Sequence, residues 1–308
     1  MKALNILVWH VHGSWLGAFV SGAHRYLLPL ESGRDGGGRR AEWPIAAGNV
    51  TPAEAAAAGV DVVVAQRPQE LDDLQRWLGT RAAFTDVPVL YLEHNTPQGR
   101  INEMRHPLAD RDDLTLVHVT HFNALFWDCG RTRTRLIEHG IPDPGYRYTG
   151  ELPRLAVVIN EAERRARVTG TDLLPRFERE APLDRFGIGT ARDLRLDDLH
   201  REIARRRVYL HPFRWTSLGL ALLEAMACGM PVVALGTTEV PYAVPPAAGV
   251  VSNDVGALAA AIRELLRDPH AAVALGRRAR AHVLERYGLA RFLAAWDDVL
   301  EEALAGRA

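Results

Sequence analysis

The sequence predicts an α/β protein built as two lobes, on three observations. Short apolar runs of strand length alternate with longer helical patterns along almost all of the 308 residues, which is the mark of helices packed on a mostly parallel sheet. The length exceeds that of one compact core and suits two of roughly 150 residues each. Between the halves, IPDPGYRYTGEL at Ile141–Leu152 holds two prolines and two glycines and cannot continue a helix. The domain boundary is placed there, giving domains 1–145 and 146–308, with a ligand expected in the cleft between them.

In the first half, strands are expected at Leu4–Val11, Val60–Gln66, Pro88–His94, Leu116–Thr120 and Leu136–Ile141, and helices near Ala18–Leu28, Pro52–Ala58, Pro68–Leu78 and Phe122–Cys129. The glycine-dense SGRDGGGRR at Ser32–Arg40 does not lie directly between a strand and a helix, as a dinucleotide fingerprint must, and reads as a mobile loop. The second half restarts with a strand at Leu155–Asn160, a helix near Asp172–Arg179, a strand at Leu183–Gly187 and a helix at Asp197–Arg206. It continues with the strand Val208–His211, the helix Ser217–Cys228 and strands at Pro231–Leu235 and Gly249–Ser252. Three helices finish the chain, at Val255–Leu266, His270–Arg286 and Ala290–Ala305.

Composition narrows the function. With 37 basic against 38 acidic residues there is no basic footprint for nucleic acid. Lys2 is the only lysine, so any bound phosphate must be met by arginines or backbone N–H groups. Cys129 and Cys228 lie far apart, without the spacing of a zinc site or a disulfide framework, and fit a reducing cytoplasm. The opening MKALNILVWH is unlike a signal peptide, and no run approaches ~20 apolar residues. A soluble cytoplasmic protein is expected, with peripheral membrane contact left open.

The most informative segment runs from His211 to Pro241. It reads as a strand end, a loop, a helix N-capped by Thr216 or Ser217, a stop at Gly229 and a buried strand. Glu224 is the one carboxylate in that helix, and its neighbours three and four residues away, Ala221, Leu220, Ala227 and Cys228, offer no cation. Either it reaches solvent along a polar stripe one residue wide, or it accepts hydrogen bonds from ligand hydroxyls.

This segment, SLGLALLEAMACGMPVV, resembles the donor-binding signature of the family-4 retaining glycosyltransferases of the GT-B fold, in which Glu, Pro, Phe, Gly, Leu precede Glu-Ala-Met-Ala-Cys-Gly-x-Pro-Val-Val. The resemblance continues through Gly249–Pro269 and the final helices. It implies two Rossmann-like domains facing each other across a cleft, with a C-terminal helix crossing back to the first. It further implies a nucleotide-sugar donor, an acceptor the sequence does not identify, retention of anomeric configuration, and no obligatory metal or other cofactor.

Glu224 falls on the family's second glutamate, which contacts the donor ribose, while Thr216 stands where the first would be, so Thr216 and Ser217 offer hydroxyls without charge. Leu218 and Gly219 complete the donor segment. Glu239, in the altered downstream pattern TTEVP, is either a replacement acid or a surface residue. In EAERRARVTG, Arg164 falls on the family's diphosphate arginine and Gly170 on its glycine, Thr169 replaces a lysine, and Arg165 or Arg167 is left to supply that charge. Gly13 and Ser14, in a turn before a helix, match the first-lobe loop that approaches the diphosphate. His94, at a strand end, matches a histidine that reaches the transferring sugar. His118 and His121 are further candidates for acceptor contacts, and Trp15, Trp127 and Trp215 read as packing. A nucleotide-sugar epimerase and a non-catalytic nucleotide-binding partner subunit are the rival readings.

Overall fold

The computed structural model describes residues 2–30, 38–78 and 87–306. Two compact units make up the chain: Met1–Gly140 together with Leu289–Ala308, and Ile141–Gly288. The boundary thus falls after Gly140 rather than after 145. The Ile141 N–H donates to the Tyr287 carbonyl at 2.9 Å, and those of Arg147 and Tyr148 donate to the Cys228 carbonyl at 3.0 Å. The proline- and glycine-rich connector is therefore folded onto the second unit. The last helix, Leu289–Ala305, belongs to the first unit, where Trp296 packs on Phe19 and Trp15 with ring centroids 4.8 and 5.8 Å apart.

Among its described residues, the first unit holds seven parallel strands: β1 (Asn5–Val8), β2 (Arg25–Pro29), β3 (Ala47–Val50), β4 (Val62–Ala65), β5 (Val89–Glu93), β6 (Thr115–His118) and β7 (Arg133–Leu136). Their spatial order is β3-β2-β1-β4-β5-β6-β7. The second unit holds β8 (Leu152–Val158), β9 (Leu183–Phe186), β10 (Arg206–His211), β11 (Val232–Leu235) and β12 (Val250–Ser252), in the order β12-β11-β10-β8-β9, again parallel. In each sheet the chain first builds outward on one side and then returns to the other. The reversal falls between β1 and β4 in the first unit and between β8 and β10 in the second. In open parallel sheets, ligands bind beyond the carboxyl ends of the strands at that reversal. Among the described residues, no helix is long and apolar enough to cross a membrane.

Several elements depart from the sequence reading. The helix expected at Ala18–Leu28 is a helix at Gly13–Phe19 followed by β2. The Tyr26–Pro29 run is buried on both faces of the sheet, and periodicity alone does not separate such a strand from a buried helix. The edge strand β7 lies before the expected Leu136–Ile141, because its exposed Arg133, Thr134 and Arg135 hide the apolar signal. The helix expected from Ser217 runs Leu220–Ala227 with Gly219 as N-cap, since the preceding loop is tied elsewhere, through Arg214 and Trp215 N–H groups donating to the Val168 carbonyl at 2.9 and 3.1 Å. Of the Ser32–Arg40 stretch, residues 32–37 lie outside the described residues.

Candidate functional site

In the second unit, the loops that follow β8 and β10 meet at the sheet reversal. The first, Glu161–Gly170, departs from ordinary backbone geometry: Glu161 and Ala166 hold φ of 52° and 41° without being glycine. Such strain persists only where surrounding structure enforces it, and it collects at ligand sites. Gly170, at φ 70°, lies against the Pro212 carbonyl, where any Cβ would collide with the oxygen. Glycine at this position is what lets the two loops touch. Thr169, where a lysine was expected, is fully buried, with its hydroxyl 3.1 Å from that of Thr171, so it secures the loop from within.

The three arginines of this loop differ. Arg164 is exposed and paired with Glu161, its Nε donating to Oε1 at 3.0 Å. Arg167 is exposed and paired with Asp172 at 2.9 Å, and Asp172 is also held by Arg214. Arg165 makes no direct salt bridge among the described residues, although the Glu161 carboxylate acts on it from farther away; half-buried, its guanidinium carbon lies 5.9 Å from the centroid of the Phe213 ring, over its face. Burial pulls its pKa down from the ordinary arginine value. Phe213 in turn stacks on His211 at 4.2 Å. His211 is fully buried, neither ring nitrogen has a hydrogen-bond partner among the described residues, and desolvation pushes its pKa down to about 3. Phe213 is therefore flanked by one cation and one neutral ring.

Glu224 is 8% exposed, which removes the solvent-stripe reading. Its Oε2 lies 3.6 Å from Nε2 of His200, on the adjacent helix Leu196–Ala204. Arginines of the Arg164–Arg167 loop are not its partners. Leu218 is packed in the apolar core, so only its backbone is available to a ligand. Gly219 sits against His211, whose Cε1 would lie 2.9 Å from a Cβ there. Thr216 is half-buried, while Ser217 and Glu239 are buried. The loop after β10 is held to the loop after β11 by Thr237, whose hydroxyl donates to the Phe213 carbonyl at 2.7 Å.

In the first unit, Gly13 and Ser14 open the helix after β1. The Arg40 guanidinium lies over Gly13, with Nη2 2.6 Å from where a Cβ would stand, and also over Trp43. Sequence reasoning missed Arg40 because it closes a stretch read only as loop. His94 follows β5, and its Nε2 lies 2.9 Å from Oε1 of Gln66, the residue after β4. Gln66 also donates from Nε2 to the Trp9 carbonyl at the end of β1, at 2.8 Å. Around His94 stand the rings of His12 at 4.3 Å, Trp15 at 5.4 Å and His139 at 6.4 Å. Burial first, then His12 and His139, holds His94 well below the usual imidazole pKa. His118 is not an acceptor contact: it is fully buried, with Nε2 3.5 Å from Cys129 Sγ. His121 is half-buried, with Nδ1 3.9 Å from a Glu138 carboxylate oxygen. Trp15 is packed in the first unit, and Trp127 donates from Nε1 to the Asn95 carbonyl at 3.0 Å.

Residues 151–268, which carry most of the second unit's crevice, match the family described as Glycosyl transferases group 1. Two curated relatives are similar over short stretches. A GDP-mannose-dependent monoacylated alpha-(1-6)-phosphatidylinositol monomannoside mannosyltransferase from Corynebacterium glutamicum is 46% identical over 68 residues, 21% of this chain. An O-antigen chain mannosyltransferase B from Escherichia coli is 40% identical over 73 residues, 23% of this chain. These stretches span 18% and 19% of the relatives' own lengths. Among solved structures, a sucrose-phosphate synthase from Thermosynechococcus elongatus superposes with a TM-score of 0.71 at 15% identity, covering 99% of this chain and 100% of that one. Anabaena HepE in complex with UDP gives 0.68 at 14% identity, covering 98% and 100%. Residues 151–268 of the second unit are thus similar to group 1 glycosyl transferases, and the chain has the GT-B fold of two Rossmann-like domains.

Proposed function

We propose that this protein is a cytoplasmic, retaining glycosyltransferase that moves a sugar from a nucleoside diphosphate donor to an acceptor, without a metal. The observation that carries the reading is the second unit's crevice, where two loops locked together at the sheet reversal present one half-buried arginine, Arg165, with no direct salt bridge among the described residues.

Glycosyl transfer expels a nucleoside diphosphate, so negative charge grows on the bridging oxygen as the bond to the sugar breaks. A fixed cation stabilises that charge without reorganising during the reaction. Arg165 supplies it: the desolvation that lowers its pKa also strengthens its attraction to a phosphate, and its planar fork donates two parallel hydrogen bonds. Arg164 falls on the family's arginine, but its charge is already met by Glu161. In the first unit, Arg40 beside Gly13 and Ser14 offers a second positively charged turn for an anionic group. Glu224 accepts from the ribose hydroxyls, Thr216, Ser217 and the Leu218–Gly219 backbone lie along the donor, and His94 receives a sugar hydroxyl. Gly170 acts by holding the loop shape.

One curated relative is named for GDP-mannose, and the Anabaena neighbour has been solved with UDP-glucose. The test is therefore a panel of UDP-, GDP- and ADP-sugars incubated with the protein in EDTA, with release of nucleoside diphosphate as the readout. One donor should turn over slowly to water, and NMR should show the α-anomer of the sugar appearing first from an α-linked donor. Turnover that requires magnesium or manganese, or release of the β-anomer, would overturn the metal-free retaining assignment.

A further inference from the structure

The segment Gly38–Trp43, which the sequence offers only as loop, is clamped onto the first unit. Because a carbonyl can only accept, His10 donates from Nδ1 to the Gly38 carbonyl, at 2.8 Å. The Arg39 N–H donates to Oδ1 of Asn49 on β3 at 2.6 Å, and its guanidinium returns to the Trp43 and Pro44 carbonyls. Trp43 is 6% exposed and packs its ring against that of His10, with centroids 4.7 Å apart. Arg40 thus has its backbone fixed on both flanks, while its side chain takes part in none of these bonds.

What receives the Arg40 side chain is a notch in the helix Gly13–Phe19. Gly13 and Gly17 lie four residues apart and so share one face of that helix. A Cβ at Gly13 would stand 2.6 Å from Nη2 of Arg40, and one at Gly17 would stand 3.0 Å from Nε1 of Trp43. Glycine is a poor helix former, and at these two positions its missing side chain is what lets the guanidinium and the indole lie against the helix. The charge so placed is not answered locally. The first turn of the helix has no acidic residue, and Glu42, two residues on, acts on His10 rather than closing a salt bridge with Arg40 among the described residues. A cation gains nothing from standing at a helix start. The guanidinium is held by packing and by the Trp43 ring, whose centroid is 5.8 Å away, with its charge unmatched.

We propose that Arg40 is a substrate-binding residue that takes a phosphate group at the carboxyl end of the first unit's sheet. The proposal deepens the reading of the protein as a nucleotide-sugar-dependent transferase and rests on it. A planar guanidinium fork donates two parallel hydrogen bonds to phosphate oxygens, and the fixed backbone on either side limits the freedom lost when it does so. Two substrates can bring that group: the donor, through its diphosphate, or an acceptor that is itself phosphorylated.

The test is footprinting of the protein with phenylglyoxal, which couples to free guanidinium groups, read by mass spectrometry at Arg40. Three arms are compared at matched ionic strength: chloride alone, the accepted nucleoside diphosphate, and inorganic phosphate added to protein already saturated with that nucleotide. With ligand at about ten times its Kd, occupancy dictates about tenfold slower modification. Slowing at Arg40 in the second arm assigns the phosphate to the donor, and slowing only in the third assigns it to a phosphorylated acceptor. An equal rate in all three arms overturns the proposal, as does equal slowing at Arg133, exposed at the amino end of β7. Arg165, read in the same spectra, reports the donor reading separately. Slowing at Arg165 with none at Arg40 overturns this proposal alone, and the reverse overturns the role given to Arg165 alone. Arg40→Met should weaken the protecting ligand at least about tenfold, the loss of a charge-assisted hydrogen bond, and Arg40→Lys should weaken it less. An Arg40→Met protein with wild-type affinity would also overturn the proposal, and the wild-type footprint decides if that variant does not fold.

Discussion

The two units put their candidate residues at the same topological address and fill it with opposite chemistry. Beyond β8 and β10 the crevice is rich in arginine and held by backbone hydrogen bonds, by the Gly170–Pro212 approach and by strained Glu161 and Ala166. Beyond β1, β4 and β5 the crevice is lined by neutral rings, His94, His139 and Trp15, ordered by a single glutamine. Twofold use of one sheet topology thus sets a cluster of arginines at one reversal and neutral rings beside a single cation, Arg40, at the other. What distinguishes them is the charge of the side chains that stand at each reversal.

The contrast can be broken most forcefully at Arg165. If it carries the leaving-group charge, Arg165→Ala should lower kcat by about 10²–10³, close to 2.7–4 kcal/mol. Arg164→Ala and Arg167→Ala should change it by less than about threefold, since exposed ion pairs are largely screened by solvent. Equal losses at all three positions would mean that the loop acts as a diffuse cationic surface.

Glu224 sharpens the same contrast with a smaller effect. Glu224→Gln keeps the shape and one acceptor oxygen, so donor affinity should fall by about 1.5–3 kcal/mol while the melting temperature barely moves. His200, at 3.6 Å, is beyond hydrogen-bond range of the carboxylate, which is why little stability is expected to depend on the charge. Unchanged affinity would remove Glu224 from the ribose.

The neutral rings make an acid-sensitive fold. His118 and His139 in the first unit are pushed down to about 4, and His211 in the second to about 3, each chiefly by burial. The unfolded chain binds protons near 6.5 and the folded one does not, so their stabilisation is complete above that value and is lost as pH falls toward 4. Each should contribute a slope of about 1.4 kcal/mol per pH unit in that window. Replacing His211 with leucine should remove one such increment from denaturant-unfolding measurements.

How much of this was readable beforehand follows the same division. The second unit's strands and helices were legible because each apolar run is bounded by Gly, Pro or a cap, as in Gly229–Met230–Pro231 before β11. The first unit was less so: β2 reads as a helix from Tyr26–Pro29, and β7 hides behind three polar residues. At the candidate site, Gly170 and Glu224 are reached through the resemblance that their segments carry. Which arginine makes no direct salt bridge could not be read that way, because it depends on Glu161 adopting φ of 52° and on Asp172 being shared by Arg167 and Arg214. Gln66 and Arg40 gave no signal, since their roles arise where separate strands end side by side.

Calorimetric titration of the protein with UDP, GDP and ADP in EDTA tests the central assignment most directly. One nucleoside diphosphate should bind without metal, and Arg165→Ala should weaken it at least about tenfold, or ~1.4 kcal/mol, while Arg164→Ala leaves it within about threefold. Absence of binding for all three, or an affinity indifferent to Arg165, would contradict a diphosphate site in the second unit.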